Sequence, residues 1–161
     1  MKEYSVILNL TQHNASKEQI EAGVVDLPKP FQEQLKEFLN FDKISDCQEI
    51  KRRAGAIYDL VIDFCLSDYS PVRSEVKKMI LDDSGEFGNK YQANEKEFKN
   101  LNLGFMIGGA LWLTKPLIEE LENIGTPLFA FTKRVVEEVK QDDGTIKKIS
   151  IFKHEGFITA C

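Results

Sequence analysis

The chain predicts an α/β fold: a Rossmann-like, mainly parallel sheet flanked by helices and finished by a C-terminal β-hairpin. Three observations carry this. Short apolar runs at 4–10, 24–27, 103–107 and 127–131 alternate with stretches of helical periodicity, the pattern of β-α-β units. Several of these runs stop abruptly on polar residues or glycines, the way strands end at the rim of an open parallel sheet. Near the C-terminus two strand-like stretches flank Gln141-Asp142-Asp143-Gly144, a turn containing Asp-Gly.

Each element has its own warrant. Residues 4–10 form an apolar run of buried-strand type. Ser16-Lys17-Glu18-Gln19 is a capping box that starts a short helix to about Ala22, and Gly23 suits the position after its end. A short strand over 24–27 precedes Pro28 and Pro30, which introduce a helix with Phe31, Leu35, Phe38 and Leu39 on one face. Ser45-Asp46-Cys47-Gln48 is a second capping box, and Ile50, Ala54, Ile57, Val61 and Cys65 stripe the helix after it, to about Leu66. Residues 67–102 read as a helical and loop insert in one domain spanning 1–161. Within the insert, Ser70-Pro71 caps a modest helix bearing Val72, Val76, Met79 and Ile80, residues 82–92 are loop-like, and a short polar helix covers 93–99. A central strand, 103–107, ends on Gly108-Gly109. Thr114 and Pro116 mark the next helix start, Leu117, Ile118, Leu121 and Ile124 its apolar side, and Gly125 its end. The strand over 127–131 ends on Thr132-Lys133-Arg134, and the hairpin strands follow over 134–140 and 145–152, with Ile149 and Ile151 on one face. Trp112 and the phenylalanines are assigned to the core.

Composition narrows the function classes. With 161 residues, 42% hydrophobic and 29% charged, the chain can bury a core and is not of disordered type. No apolar run approaches the roughly 18 to 20 residues that span a bilayer, and the first residues lack a signal-peptide pattern. Three widely spaced cysteines, Cys47, Cys65 and Cys161, suit neither a disulfide framework nor a zinc site, and the expected setting is the cytoplasm. Residues 1–125 carry 15 basic against 21 acidic side chains, and residues 126–161 carry 6 against 5. Such a chain is a poor partner for long nucleic acid, where phosphate neutralisation dominates affinity, but a small anion held by local donors fits. With two histidines and no cysteine cluster, no metal site and no cofactor is expected. The G-x-S-x-G, H-E-x-x-H, G-x-G-x-x-G and P-loop patterns are absent.

In a parallel sheet the C-terminal strand ends share one rim, so Thr11-Gln12-His13, Gly108-Gly109 and Thr132-Lys133-Arg134 are expected to converge. His13 suits phosphate donation or general acid–base work, or equally an ordered turn. Thr11, Gln12 and Asn14 offer hydrogen bonds to a base or ribose, though Asn14 and Ser16 are also ordinary turn residues. Gly108 and Gly109 allow backbone N–H groups to approach a ligand, or simply make a tight turn. Lys133 and Arg134 would meet negative charge, or sit solvated at the hairpin base. His154 reads as a strand-surface or partly buried histidine more readily than as a catalyst, with a functional role the lesser alternative.

One resemblance adds to this. The opening strand running into Asn9-Leu10-Thr11-Gln12-His13 and then the Glu18-Gln19 helix start resembles the small ring nucleases of type III CRISPR systems, relatives of the CRISPR-associated Rossmann-fold (CARF) domains. The closing segments, Ala130 to Glu138, Asp143-Gly144 and Lys147 to His154, are similar too. The likeness covers about 20 residues at the start and about 50 at the end, and residues 67–102 have no counterpart in it. It implies a homodimer that binds a cyclic oligoadenylate across its two-fold axis in antiviral signalling. It also implies slow, metal-independent cleavage, a ribose 2′-hydroxyl attacking the adjacent phosphate to leave a 2′,3′-cyclic phosphate. Under that resemblance Thr11, Gln12 and His13 are the catalytic set. Asn9, Asn14, Gly108, Gly109, Thr132, Lys133 and Arg134 are the ligand-binding set, with Arg134 opposing phosphate charge. Two other functions stay open: a sponge that sequesters a nucleotide signal without cleaving it, and a small α/β interaction protein with no ligand.

Overall fold

In the computed structural model, residues 3–80 and 95–160 are described. The element order is β1 (Val6–Leu10), α1 (Lys17–Glu21), β2 (Val24–Asp26), α2 (Lys29–Leu39), α3 (Cys47–Leu66), α4 (Arg73–Ile80), α5 (Glu95–Asn100), β3 (Leu103–Ile107), α6 (Leu111–Leu121), β4 (Thr126–Lys140) and β5 (Ile146–Thr159). The strands form one five-stranded sheet in the order β2-β1-β3-β4-β5. The first three pairings are parallel and β4–β5 is antiparallel. The α/β class and the mainly parallel sheet with a closing hairpin are therefore as expected.

The two faces of the sheet differ. β1 and β3 are buried at every position, as central parallel strands are when both faces are covered. Leu8, Leu10 and Phe105 face the large core with Leu35 and Leu39 of α2, Ile57, Val61 and Phe64 of α3, and Leu113, Leu117 and Leu121 of α6. Ile7, Val24, Met106 and Leu128 form a small second core, covered by Tyr4, Ala15, Ala130 and Phe157. The described parts of the 67–102 segment contribute to the large core, where Val76 and Phe98 are fully buried, and Tyr58 of α3 donates to Glu95 Oε1 at 3.0 Å. The loop expected over 82–92 and the first residues of the helix expected from 93 lie outside the described residues.

Local signals placed most elements. The Ser16 capping box is complete, with Ser16 Oγ accepting from the Gln19 N–H and Gln19 Oε1 accepting from the Ser16 N–H. The cap of α3 falls one residue later than expected: Asp46, not Ser45, accepts from the Glu49 N–H at 2.8 Å. Glu49 then receives Arg52 and Arg53, which hold its carboxyl down at about 2. Arg53 also stacks over Phe41 and donates to the Asn40 carbonyl, tying the end of α2 to α3. Ser70 accepts from the Val72 N–H, but α4 starts at Arg73, so Pro71 is not its first residue.

Two sequence expectations fail around α6 and β4. The helix starts at Leu111 rather than near Thr114, and Pro116 lies inside it. The turn responsible is Gly109, whose φ of +113° swings the chain into the helix at once. Leu113, Leu117 and Leu121 then make the buried stripe, and Trp112, about 100° around the helix, sits on the flank at 57% exposed against the edge of Phe41. Phe131 and Phe152 are also exposed, not core. The second failure is β4, one 15-residue strand that runs on past Phe131, with a register shift against β5 between Phe131 and Thr132.

Candidate functional site

The switch in strand order sets the site. From β1 the chain pairs outward to β2, then returns to place β3 on the other side of β1. The chain therefore diverges on opposite sides of the β1–β3 gap, and in open α/β sheets a crevice forms at the C-terminal ends of such a strand pair. A cleft of about 540 Å³ lies there. Its walls are Thr11, Gln12, His13 and Asn14 after β1, and Gly108, Gly109 and Ala110 after β3. Its size suits a small ligand.

The β1 wall is fixed by a buried amide. Asn9 is inside the sheet, yet every hydrogen-bonding position it has is used. Its Nδ2 donates to the His13 carbonyl at 2.7 Å and to Asp26 Oδ1 at 2.6 Å. Its Oδ1 accepts from the Thr11 N–H at 3.0 Å and the Thr11 hydroxyl at 2.7 Å. Thr11 Oγ1 also accepts from the His13 N–H at 3.3 Å. Asp26, aligned with Asn9 in the β1–β2 register, accepts from the Ala15 N–H as well, pinning the exit of the turn. The main chain of His13 is thus ordered by Asn9 and Thr11, while its imidazole is exposed on the cleft and makes no hydrogen bond within the described residues.

The β3 wall is almost bare backbone. Gly108 has room for a Cβ 3.4 Å from Thr11 Cγ2, but Gly109 is held at a positive φ. Ala110 is the N-cap of α6 and offers no side-chain acceptor, so the first N–H groups of an 11-residue helix open near the cleft. Phe129 and Ala130 of β4 complete the lining, and Gln19 enters from α1. Among the described residues, His13 is the single ionisable side chain in the lining.

The predicted site residues divide. Thr11, Gln12, His13, Asn14, Gly108 and Gly109 come together. Asn9 is beneath the cleft as the fastener of its wall rather than in the lining. Thr132, Lys133 and Arg134 are not brought in. They lie inside β4, opposite His154, Lys153 and Phe152 of β5, and Arg134 Nη2 donates to Ser150 Oγ at 2.9 Å. The third tip of the expected rim does not exist, because β5 keeps β4 hydrogen-bonded through Lys140. Sequence reasoning missed Asp26, read only as a strand residue, and the α6 N-terminus. A polar residue inside each of two strand-like runs, Asn9 and Asp26, is the one signal that could have suggested the first.

His154 lies apart from this cleft, with its ring 4.7 Å from that of Phe157. Both ring nitrogens are shielded and have no hydrogen-bond partner among the described residues. Burial pushes its pKa down, against Glu18 and Glu155, which favour the charged form. Burial alone pushes the Cys65 thiol up to about 12. Among the described residues no group of three His, Cys, Asp or Glu is arranged to hold a metal ion, and no helix is long and apolar enough to cross a membrane.

The chain matches the uncharacterized protein MJ1673 family over residues 5–158, and it belongs to that family. No curated protein and no solved structure matches it significantly.

Proposed function

We propose that the cleft between the ends of β1 and β3 binds a cyclic oligoadenylate, in a domain of Rossmann-like, CARF-related type. The observation that carries this reading is the coincidence of the cleft with the strand-order switch point, where such sheets hold nucleotides. The lining chemistry agrees with it. Gln12, Asn14 and Gln19 supply amides for ribose and base edges, and the N–H groups at Gly109 and the start of α6 suit a phosphodiester. In the cleavage reaction the ribose 2′-oxygen bonds to the neighbouring phosphorus, the bond from phosphorus to the 5′-oxygen breaks, and the 2′ proton ends on that 5′-oxygen. In this reading His13, which lines the cleft, carries this proton, with Thr11 and Gln12 orienting the sugar and phosphate.

A second reading, sequestration without cleavage, is favoured by one specific feature. Among the described residues the lining holds a single ionisable group, and Lys133 and Arg134 lie elsewhere, so these residues offer little charge to stabilise a phosphorane. Incubation of the purified chain with cyclic tetra- and hexa-adenylate in chelator separates the two. Linear products lost in His13→Ala support cleavage. A thermal shift with intact ligand supports sequestration. Neither products nor a shift overturns both and leaves the ligand-free interaction protein.

A further inference from the structure

Helix α2 carries the rim past the β3 tip. Its Gln32 and Lys36 share a narrow niche with Gln12 and Asn14 of the β1 turn. Its last residue, Leu39, places Cδ2 3.7 Å from where a Cβ on Gly109 would be. The chain leaving α2 then encloses, with α6, a second pocket of about 450 Å³. Phe41, Asp42, Lys43, Ile44 and Ser45 line one side of it and Trp112 the other. Trp112 follows Ala110, a lining residue of the cleft, by two positions, so one helix start serves both spaces.

The aromatic wall of this pocket is held in place. Phe41 and Trp112 meet edge to face, with ring centroids 5.5 Å apart at 83°. The Arg53 guanidinium sits over the Phe41 ring at 4.1 Å and donates to the carbonyls of Phe38 and Asn40, which fixes the start of the loop. Even so, Trp112 is 57% exposed and Ile44 wholly so, and no described residue covers them. The groups around this flat surface are one carboxylate, one hydroxyl and one ammonium, from Asp42, Ser45 and Lys43. That set matches a purine nucleotide: a ring to stack, an exocyclic amine for the carboxylate, a ring nitrogen for the hydroxyl and a phosphate for the ammonium. An acyl chain would leave Asp42 without a donor. We propose that this pocket takes an adenine base of the nucleotide held in the cleft, stacked on Trp112, with its amine on Asp42 and its phosphate towards Lys43. The inference rests on the nucleotide reading of the cleft and adds to it a base site outside the cleft lining.

Trp112 is the one tryptophan of the chain, so its fluorescence reports on this pocket alone. The test titrates the full chain with cyclic tetra-adenylate and with cyclic hexa-adenylate in chelator, following Trp112 emission, its accessibility to acrylamide and the thermal shift together. The expected result is saturable quenching and loss of acrylamide access in parallel with the shift. By calorimetry Trp112→Leu should weaken binding roughly tenfold, and Trp112→Phe, which keeps a ring to stack on, should recover most of that loss. A thermal shift with emission and acrylamide access unchanged overturns the base site and leaves the cleft reading standing. So does a Trp112→Leu chain, folded by circular dichroism, that binds as tightly as wild type. Neither a shift nor quenching with either ring overturns the cleft reading, and the base site falls with it.

Discussion

β1 and β4 enter the sheet in the same way and leave it differently. Both are parallel neighbours of β3, and both carry polar residues after an apolar run. β1 stops at Leu10 because its partners stop with it, β2 at Asp26 and β3 at Ile107. Its next residues have no ladder to join, and they fold into the wall of a cleft around Asn9. β4 parts from β3 at Leu128 but does not stop, because β5 supplies antiparallel partners as far as Lys140. Thr132-Lys133-Arg134 resembles a strand tip in composition and is mid-strand in fact. A strand ends where its hydrogen-bond partners end, and polarity alone does not mark that place.

The contrast breaks most easily at Asn9. Asn9→Leu keeps the branched shape and removes the bonds that Asn9 makes to the Thr11 N–H, the His13 carbonyl and Asp26, so urea unfolding should show a loss of about 3 kcal/mol. Thr132→Val in β4 should move stability by less than about 0.5 kcal/mol. Equal effects at the two positions would mean that the β1 turn is no better fixed than an exposed strand.

The β3 tip gives the next largest effect. Gly109→Ala places a side chain at φ +113° and should cost about 2 kcal/mol, together with any nucleotide-induced thermal shift. Gly108→Ala has neither the φ penalty nor a close contact, and is expected within about 0.5 kcal/mol of wild type. A thermal melt of both variants decides whether the turn, rather than glycine content, shapes the wall.

In the ribbon, Gly144→Ala should cost about 1 kcal/mol through its φ of +85°, since nothing crowds the added Cβ. The loss should stay local. Hydrogen exchange should quicken at Val139 and Lys147 and not in β1, and acceleration in both would mean that ribbon and sheet open as one unit.

The smallest effect is one of pH. His154 is held below its usual pKa, so the unfolded chain binds the proton more readily than the folded one. Its contribution is complete above the ordinary histidine pKa and falls away as pH drops through the folded value. Between pH 7 and 5, His154→Phe should flatten this part of the acid destabilisation. A wild-type slope unchanged by His154→Phe would show that the ring is not withheld from protons.

Much of this molecule was written locally. The Ser16 capping box, the Phe31 to Leu39 face of α2, the Ile57 to Cys65 stripe of α3 and the Asp143-Gly144 turn all depend on neighbours a few residues away, and all stand where the pattern put them. The errors came where distance in sequence is large. Trp112 stands outside the core because the Gly109 turn sets the phase of α6, which periodicity alone does not fix. Thr132 to Arg134 stand inside a strand because the partner that extends β4 lies about 20 residues further on. The Asn9–Asp26 bond joins two strands through a register that no local signal states.

By itself, then, the sequence determined the α/β class, most helix boundaries, and half of the cleft, since periodicity, caps and turn residues act through the nearest few positions. Only the tertiary structure decided that the order of strands switches between β1 and β3, that Asn9 fastens the wall, and that the basic residues of β4 stand away from it. Those outcomes depend on which strands become neighbours and in what register, and that is chosen by the burial of the whole sheet against its helices rather than by any segment alone.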